Sequence, residues 1–285
     1  MSLVPSACRM IAVALMTVLP AALTAADSLP WELDSADRRA ELIGWEAVGR
    51  LDIDRNKTCT GTLVASDLVL TAAHCVLDDE NRKIAPSKII FRAGLRNGEV
   101  IAASRGLATA VAAGFENSER LTTTMIRRDV ALIKLETPVA RALAQPFPIH
   151  RTPSVNSDLT VASYGRGRNA VLSIQRTCNK LSFDDRLLTF DCDITFGSSG
   201  APVIAIDGVR PAIIAVVSAT GTRDGRAIGL GMELRDTVRA LEREIAVGAA
   251  TPAATAPAVV KRITVGKSTN GSRQPGGSKF LRPGN

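Results

Sequence analysis

The sequence predicts an all-β protein. Between Asp27 and Glu244 it holds many short segments that are rich in β-branched residues and bounded by Gly, Asn, Asp or Pro. That composition is typical of strands separated by turns, and many such strands indicate a β-barrel or a β-sandwich. The predicted strands are 45–53, 60–64, 88–93, 99–104, 130–135, 159–164, 186–192, 201–206 and 212–218.

One helix is predicted at the end of this region. Leu234, Val238, Leu241 and Ile245 recur at the spacing of a single helical face, which indicates a helix over residues 234–245. The proline-containing segment 138–148 has no such periodicity and is predicted to connect two halves of the fold.

The charge of the chain is concentrated at one end. The protein has 285 residues, 46% of them hydrophobic, and a net charge of +7. After residue 245 there are six Lys and Arg and no acid, so the rest of the chain is nearly neutral. This distribution disfavours a basic fold that binds nucleic acid. Residues 248–285 are expected to form a disordered basic tail, either a solvated linker or a weak contact with an anionic surface.

The N-terminus has the features of an export signal. A ten-residue apolar run, 10–19, follows Arg9 and precedes small residues. About 20 apolar residues are needed to span a membrane, so the run favours a secretory signal over residues 1–26. We therefore predict an exported protein, periplasmic or secreted.

Export affects the interpretation of the cysteines. With Cys8 removed, four cysteines remain, and four cysteines allow three pairings. In an oxidising compartment the local pairs Cys59–Cys75 and Cys178–Cys192 are the simplest choice, with four free buried thiols as the alternative. No CxxC motif occurs and His74 is the only His near a Cys, so no metal or other cofactor is predicted.

Two motifs place a His and an Asp at strand ends. His74 lies in TAAHC, in a turn of small residues. Asp129 lies in RDVALIKL and immediately precedes the predicted strand 130–135. A carboxylate at that position could accept a hydrogen bond from an imidazole. Taken singly, a structural His and a strand-capping Asp are the alternatives.

The third motif, FGSSGAPV, carries the candidate nucleophile. Gly197 and Gly200 bracket Ser198 and Ser199, and glycines allow a tight turn that presents a hydroxyl and directs backbone N–H groups at one point. Serine is a poor nucleophile until a base takes its proton. A simple hairpin turn is the alternative for this motif alone.

In the order His74, Asp129, Ser199 the three motifs resemble the chymotrypsin-like serine proteases, from about Trp45 to Leu234. CTGTLVASDLVLTAAHC is similar to the family's segment around its catalytic His, RDVALIKL to its Asp-bearing strand, and GSSGAP to its GDSGGP motif. The compact bacterial branch, called trypsin-like or glutamyl-endopeptidase-like, is the most similar.

The resemblance implies two six-stranded antiparallel β-barrels with the active site between them. The first barrel would cover 27–145 and carry His74 and Asp129, and the second would cover 146–247 and carry Ser199. By the same resemblance Ser199 attacks the peptide carbonyl, His74 is the base and Asp129 orients it. Gly197 and Ser199 N–H would form the oxyanion hole, and Cys59–Cys75 would brace the His turn. A monomer acting on protein or peptide substrates, without a cofactor, is expected.

The specificity pocket and the activation mechanism depend on single residues. Asp193, six residues before Ser199, stands where trypsin-type members keep the acid that binds Arg or Lys, although it could instead cap a strand. Ser218 stands where the family keeps a serine beside the buried Asp. Val217 replaces the pocket His of Glu-cleaving relatives, which makes that specificity less favoured. Ser198 replaces an Asp, so activation through a buried N-terminal ion pair is expected to be absent.

Two other functions remain possible from the sequence. The first is a catalytically silent, protease-like binding module, although such proteins usually lose the His or the Ser. The second is an esterase, whose nucleophile requires Gly-x-Ser-x-Gly between a strand and a helix. Ser199 lacks that spacing, and a strand pattern follows it.

Overall fold

The computed structural model describes residues 33–54, 57–118, 122–150, 158–207 and 210–250. The predicted signal peptide and nearly all of the predicted tail lie outside this range. Those described residues that precede Ala250 belong to one compact unit, so the boundary at 145/146 stays a prediction. No helix in the described segments is both long and apolar enough to cross a membrane.

The first sheet is a closed barrel. After a two-residue strand β1 (Asp34–Ser35), six antiparallel strands close on themselves in the order β2-β3-β4-β7-β6-β5. Their bounds are β2 Val48–Ile53, β3 Lys57–Ala65, β4 Leu68–Thr71, β5 Ile89–Ala93, β6 Ala102–Val111 and β7 Ala131–Leu135. A short helix α1 (Thr123–Ile126) precedes β7.

Apolar side chains fill the interior of this barrel. Successive residues of a strand point to opposite faces, so one set fills the interior. Leu51, Leu63, Leu70, Phe91 and Leu132 come from five different strands and are fully buried in one core. Gly49 on β2 faces the ring of Phe91, where an added Cβ would lie 2.4 Å from a ring carbon, so only glycine fits.

The second sheet has eight strands in the order β1-β9-β8-β12-β13-β14-β11-β10. The resemblance implied a second six-stranded barrel, whereas this sheet has eight strands among the described residues, with β1 and β10 at its two ends. The strand bounds are β8 Leu159–Ser163, β9 Ser173–Cys178, β10 Lys180–Asp184, β11 Leu187–Phe190, β12 Pro202–Asp207, β13 Arg210–Arg223 and β14 Arg226–Glu233.

Five strands escaped the sequence prediction, namely β1, β4, β9, β10 and β14. The clearest reason is in β14, whose Gly229 and Gly231 weaken a strand pattern. An added Cβ on Gly229 would lie 2.2 Å from the Phe190 ring, and one on Gly231 would lie 2.5 Å from the Val216 carbonyl. Close packing therefore requires both glycines, although they hide the strand in the sequence.

The predicted C-terminal helix is present and longer than expected. Helix α2 runs from Arg235 to Ala250. The predicted apolar face is buried, with Val238 and Leu241 both 3% exposed. The all-β prediction with a single C-terminal helix is therefore confirmed.

Candidate active site

The three motif residues line one cleft. His74, Asp129 and Ser199 border a cavity of about 750 Å³, together with residues from both sheets. His74 lies in a 3-10 turn (Ala73–Cys75) that begins two residues after the end of β4, and Asp129 lies two residues before the first residue of β7. Since β4 and β7 are hydrogen-bonded neighbours, the His turn and the Asp meet at one end of the barrel.

Asp129 holds His74 at two points. Its Oδ2 lies 2.7 Å from His74 Nδ1, and its Oδ1 accepts a 2.9 Å hydrogen bond from the His74 backbone N–H. The carboxylate is buried, at 3% exposure, and Oδ2 also accepts a 2.6 Å bond from the Ser218 hydroxyl. All three groups thus donate hydrogen bonds to the carboxylate. The bond to Nδ1 orients the imidazole and leaves Nε2 as the ring nitrogen that is available for chemistry.

Two further groups support the His turn. Cys59 on β3 is joined to Cys75, the residue after His74, by a disulfide. Lys57 Nζ donates to the His74 carbonyl and, at 3.3 Å, to the Leu77 carbonyl. Burial lowers the pKa of the Lys57 ammonium, an effect that the nearby carboxylates of Asp79, Asp129 and Asp78 oppose.

Ser199 lies in a turn that only glycine can flank. Gly197 has φ +89° and Gly200 has φ +80°. An added Cβ on Gly197 would lie 2.5 Å from the Tyr164 carbonyl, and one on Gly200 would lie 2.1 Å from the Thr71 hydroxyl. No hydrogen bond joins the His74 ring to the Ser199 hydroxyl within the described segments. In free enzymes this contact is often long and tightens with substrate.

Two amides beside Ser199 are available to an incoming oxygen. The Phe196 carbonyl accepts a 2.6 Å bond from Arg166 N–H, and in a trans peptide the Gly197 N–H points the opposite way. Neither Gly197 N–H nor Ser199 N–H donates to another described residue. Both residues border the cleft, so this loop has the form of an oxyanion hole.

The residue before Ser199 is buried without a charge. The Ser198 hydroxyl is fully buried and lies 3.0 Å from the Ser163 hydroxyl of β8. Ser198 thus stands where the resemblance implied an Asp in family members that are activated through their N-terminus, and its partner is a hydroxyl and not a charged group.

The structure does not place Asp193 among the cleft-lining groups, contrary to its predicted pocket role. Its backbone N–H donates a 2.6 Å bond to Gln175 Oε1. Its side chain is 57% exposed and lies 3.8 Å from Arg168 Nη1. Ser218, the second predicted pocket residue, does line the cleft, although its hydroxyl is committed to Asp129.

Sequence reasoning missed the rim of the cleft. Arg166 stacks its guanidinium over the Phe196 ring at 4.1 Å from the centroid, and both residues border the cavity. Phe196 is nevertheless 71% exposed. The exposure of Phe196 is known only from the structure, so no signal for this pair was present in the sequence.

One cluster has the composition of a metal site. The ligand atoms of Cys59, His74 and Cys75 lie within 4.8 Å of one another. Both sulfurs are consumed in the disulfide, so neither can be the thiolate that a metal requires. The residues do not fit a metal centre.

Both predicted disulfides are present, and they offer a matched comparison. Cys59–Cys75 and Cys178–Cys192 close segments of similar separation, 16 and 14 residues. Replacing either pair with alanine should lower the free energy of unfolding by about 3 kcal/mol, measured in guanidinium chloride. Only the first pair adjoins His74, so its loss should reduce kcat about tenfold more than loss of the second. Equal losses of kcat would show that the bond does not position the His turn.

The comparisons with known proteins identify the family and agree with the fold. Residues 59–213, more than half of the chain, match the model of the trypsin-like peptidase domain. Fold and family together define a hydrolase of the serine endopeptidase class. The chain belongs to the trypsin-like peptidase domain family.

Solved structures of serine proteases share the fold at low identity. A thermostable serine protease, AL20, from an extremophilic microorganism is 19% identical, with a TM-score of 0.55 over 69% of this chain and 97% of that one. A Glu endopeptidase in complex with MPD is 19% identical, with a TM-score of 0.57 over 72% and 90%. The protease Anisep from Arthrobacter nicotinovorans is 15% identical, with a TM-score of 0.56 over 69% and 95%.

Proposed function

We propose that the protein is an exported endopeptidase that cleaves peptide bonds through Ser199, His74 and Asp129. The observation that carries this proposal is the double hold of Asp129 on His74, in the same cleft as Ser199 and two available amides. Two disulfides support an oxidising compartment. Peptide or protein substrates follow from the family.

The mechanism follows from which groups can move a proton. His74 Nε2 takes the Ser199 proton as Oγ attacks the carbonyl carbon, and the carbonyl oxygen becomes an oxyanion held by Gly197 and Ser199 N–H. The buried Asp129 carboxylate stabilises the imidazolium that forms. His74 then donates the proton to the leaving amine. Water, activated by the same imidazole, releases the acyl group from Ser199.

One part of the cleft wall, formed by residues 194–195 and 217–220, is uncharged, whereas Lys57, Glu116 and Arg166 line other parts. Segments 194–195 and 217–220 contribute apolar side chains and hydroxyls there, among them Ile194, Val217 and Thr220. The sequence predicted cleavage after Arg or Lys from Asp193, and the exposed position of that carboxylate gives this preference little support. We therefore propose that the residue before the scissile bond is uncharged.

The proposal is tested with the mature protein, a fluorophosphonate probe and peptides that carry Arg, Lys, Glu, Phe, Val or Ala before the scissile bond. We expect the probe to label Ser199, located by mass spectrometry, and expect the peptides with an uncharged residue to be cleaved fastest. Intact, folded protein with neither labelling nor cleavage would instead indicate the silent binding module.

The variant Asp193→Asn distinguishes a preference for Arg or Lys from a preference for an uncharged residue before the scissile bond. Because the carboxylate is 57% exposed and faces Arg168, we expect kcat/KM for Arg and Lys peptides to change by less than about threefold. If Asp193 were a buried acid that binds a basic side chain, kcat/KM would fall about 10²–10⁴-fold, the equivalent of about 3–5 kcal/mol for breaking a buried pair. A loss of that size would instead support the prediction that Asp193 binds the basic side chain of the substrate.

A further inference from the structure

Thr60 connects the two sheets at the candidate site. It lies on β3, next to Cys59, and is fully buried. Its hydroxyl accepts a 3.0 Å bond from Tyr164 N–H and donates a 2.8 Å bond to the Gly197 carbonyl. Its own N–H donates a 2.9 Å bond to the Ser199 carbonyl. Thr60, a residue of the first barrel, thus makes hydrogen bonds to both Gly197 and Ser199, whose N–H groups form the proposed oxyanion hole.

The nucleophile turn packs directly against Thr60. An added Cβ on Gly200 would lie 2.3 Å from the Thr60 carbonyl, which also accepts a 2.9 Å bond from the Thr71 hydroxyl. The Thr60 backbone is therefore anchored to β4, the strand that leads to His74. Displacement of Thr60 would move the nucleophile turn and the His turn relative to each other.

The hydroxyl restrains the least restricted residue of the turn. Gly197 has φ +89°, and glycine has the widest choice of backbone conformations of any residue. The Phe196–Gly197 peptide is held by Arg166 N–H, and the following peptide is held by the Thr60 hydroxyl. The Thr60 hydroxyl thus holds the Gly197–Ser198 peptide, which joins the peptide that carries the Gly197 N–H to the peptide that carries the Ser199 N–H.

We propose that Thr60 is a positioning residue for the oxyanion hole, acting across the two sheets through its hydroxyl bond to Gly197. The inference rests on the proposed function. It adds a residue that neither touches substrate nor belongs to the three motifs.

Three variants test this role. Thr60→Val keeps the shape and removes the hydroxyl, Thr60→Ser keeps the hydroxyl, and Thr62→Val is the matched control. Thr62 lies two residues further along β3 and is 1% exposed, and its hydroxyl has no hydrogen-bond partner among the described residues. Removing that hydroxyl breaks no bond, so kcat and KM should both stay within about twofold of wild type.

Thr60→Val should lower kcat about tenfold or more and leave KM within about threefold, because the hole acts on the transition state. Loss of a whole donor, about 10²–10³-fold, is the upper limit. A peptide aldehyde, whose hemiacetal oxygen occupies the hole, should bind about tenfold more weakly. Thr60→Ser should restore both quantities to within about threefold of wild type.

Several results would overturn the inference. They are an unchanged kcat in Thr60→Val, a Thr60→Ser variant as impaired as Thr60→Val, or an equal loss in Thr62→Val. If circular dichroism shows that Thr60→Val does not fold, the same measurement is made on Thr60→Ala, with Thr62→Ala as its control. An inactive, unlabelled wild type would refute the proposed function instead, and the two failures are therefore distinguishable.

Discussion

Ser199→Ala is expected to lower kcat by about 10⁶-fold, the largest effect of any single change in this protein. Without the Ser199 oxygen no acyl-enzyme can form, and only water aligned by the remaining groups can attack. The oxyanion-hole amides and substrate binding should leave a small residual rate. The measurement is turnover of the best peptide from the panel, at enzyme concentrations high enough to observe that rate.

Ser198→Ala is the matched control for this experiment. It removes a hydroxyl from the adjacent residue, which is fully buried and bonded to Ser163 instead of facing the cleft. We expect a loss of kcat of about tenfold or less, and continued labelling of Ser199. If Ser199→Ala kept more than about 1% of wild-type kcat, Ser199 would not be the nucleophile.

Asp129→Asn should lower kcat by about 10⁴-fold with little change in KM. Three donors point at this carboxylate, namely the His74 backbone, the His74 ring and Ser218. An amide has one acceptor oxygen and a donor NH₂ group, so it cannot serve all three. The His74 ring would be driven to the tautomer that carries its proton on Nε2, where it cannot accept the Ser199 proton.

Ser218→Ala provides the comparison, because it removes one donor and keeps the carboxylate. We expect a decrease in kcat of about tenfold, since His74 keeps both of its bonds to Asp129. Thermal unfolding of both variants, followed by circular dichroism, would show that the fold is intact. Similar losses in the two variants would mean that Asp129 acts through the network as a whole and not through the tautomer.

Much of this protein can be predicted from local sequence. Short segments rich in β-branched and other apolar residues, such as 130–135, identify barrel strands, and the spacing of Val238 and Leu241 identifies the helix. The glycines around Ser199 follow from a turn that no other residue can adopt. Each of these features depends on residues a few positions apart, where backbone geometry relates the sequence directly to the structure.

The relations between distant residues were decided by the tertiary structure. The Thr60 hydroxyl meets the Gly197 carbonyl across 137 positions, and Ser218 meets Asp129 across 89. The spacing between Asp193 and Ser199 predicted that Asp193 is the acid of the substrate pocket. In the structure its backbone N–H donates to Gln175 and its carboxylate is exposed. Residue type and order thus determined the kind of chemistry. The directions of these side chains were determined by which buried hydrogen bonds the packed sheets could satisfy, because leaving a buried polar group unpaired costs free energy.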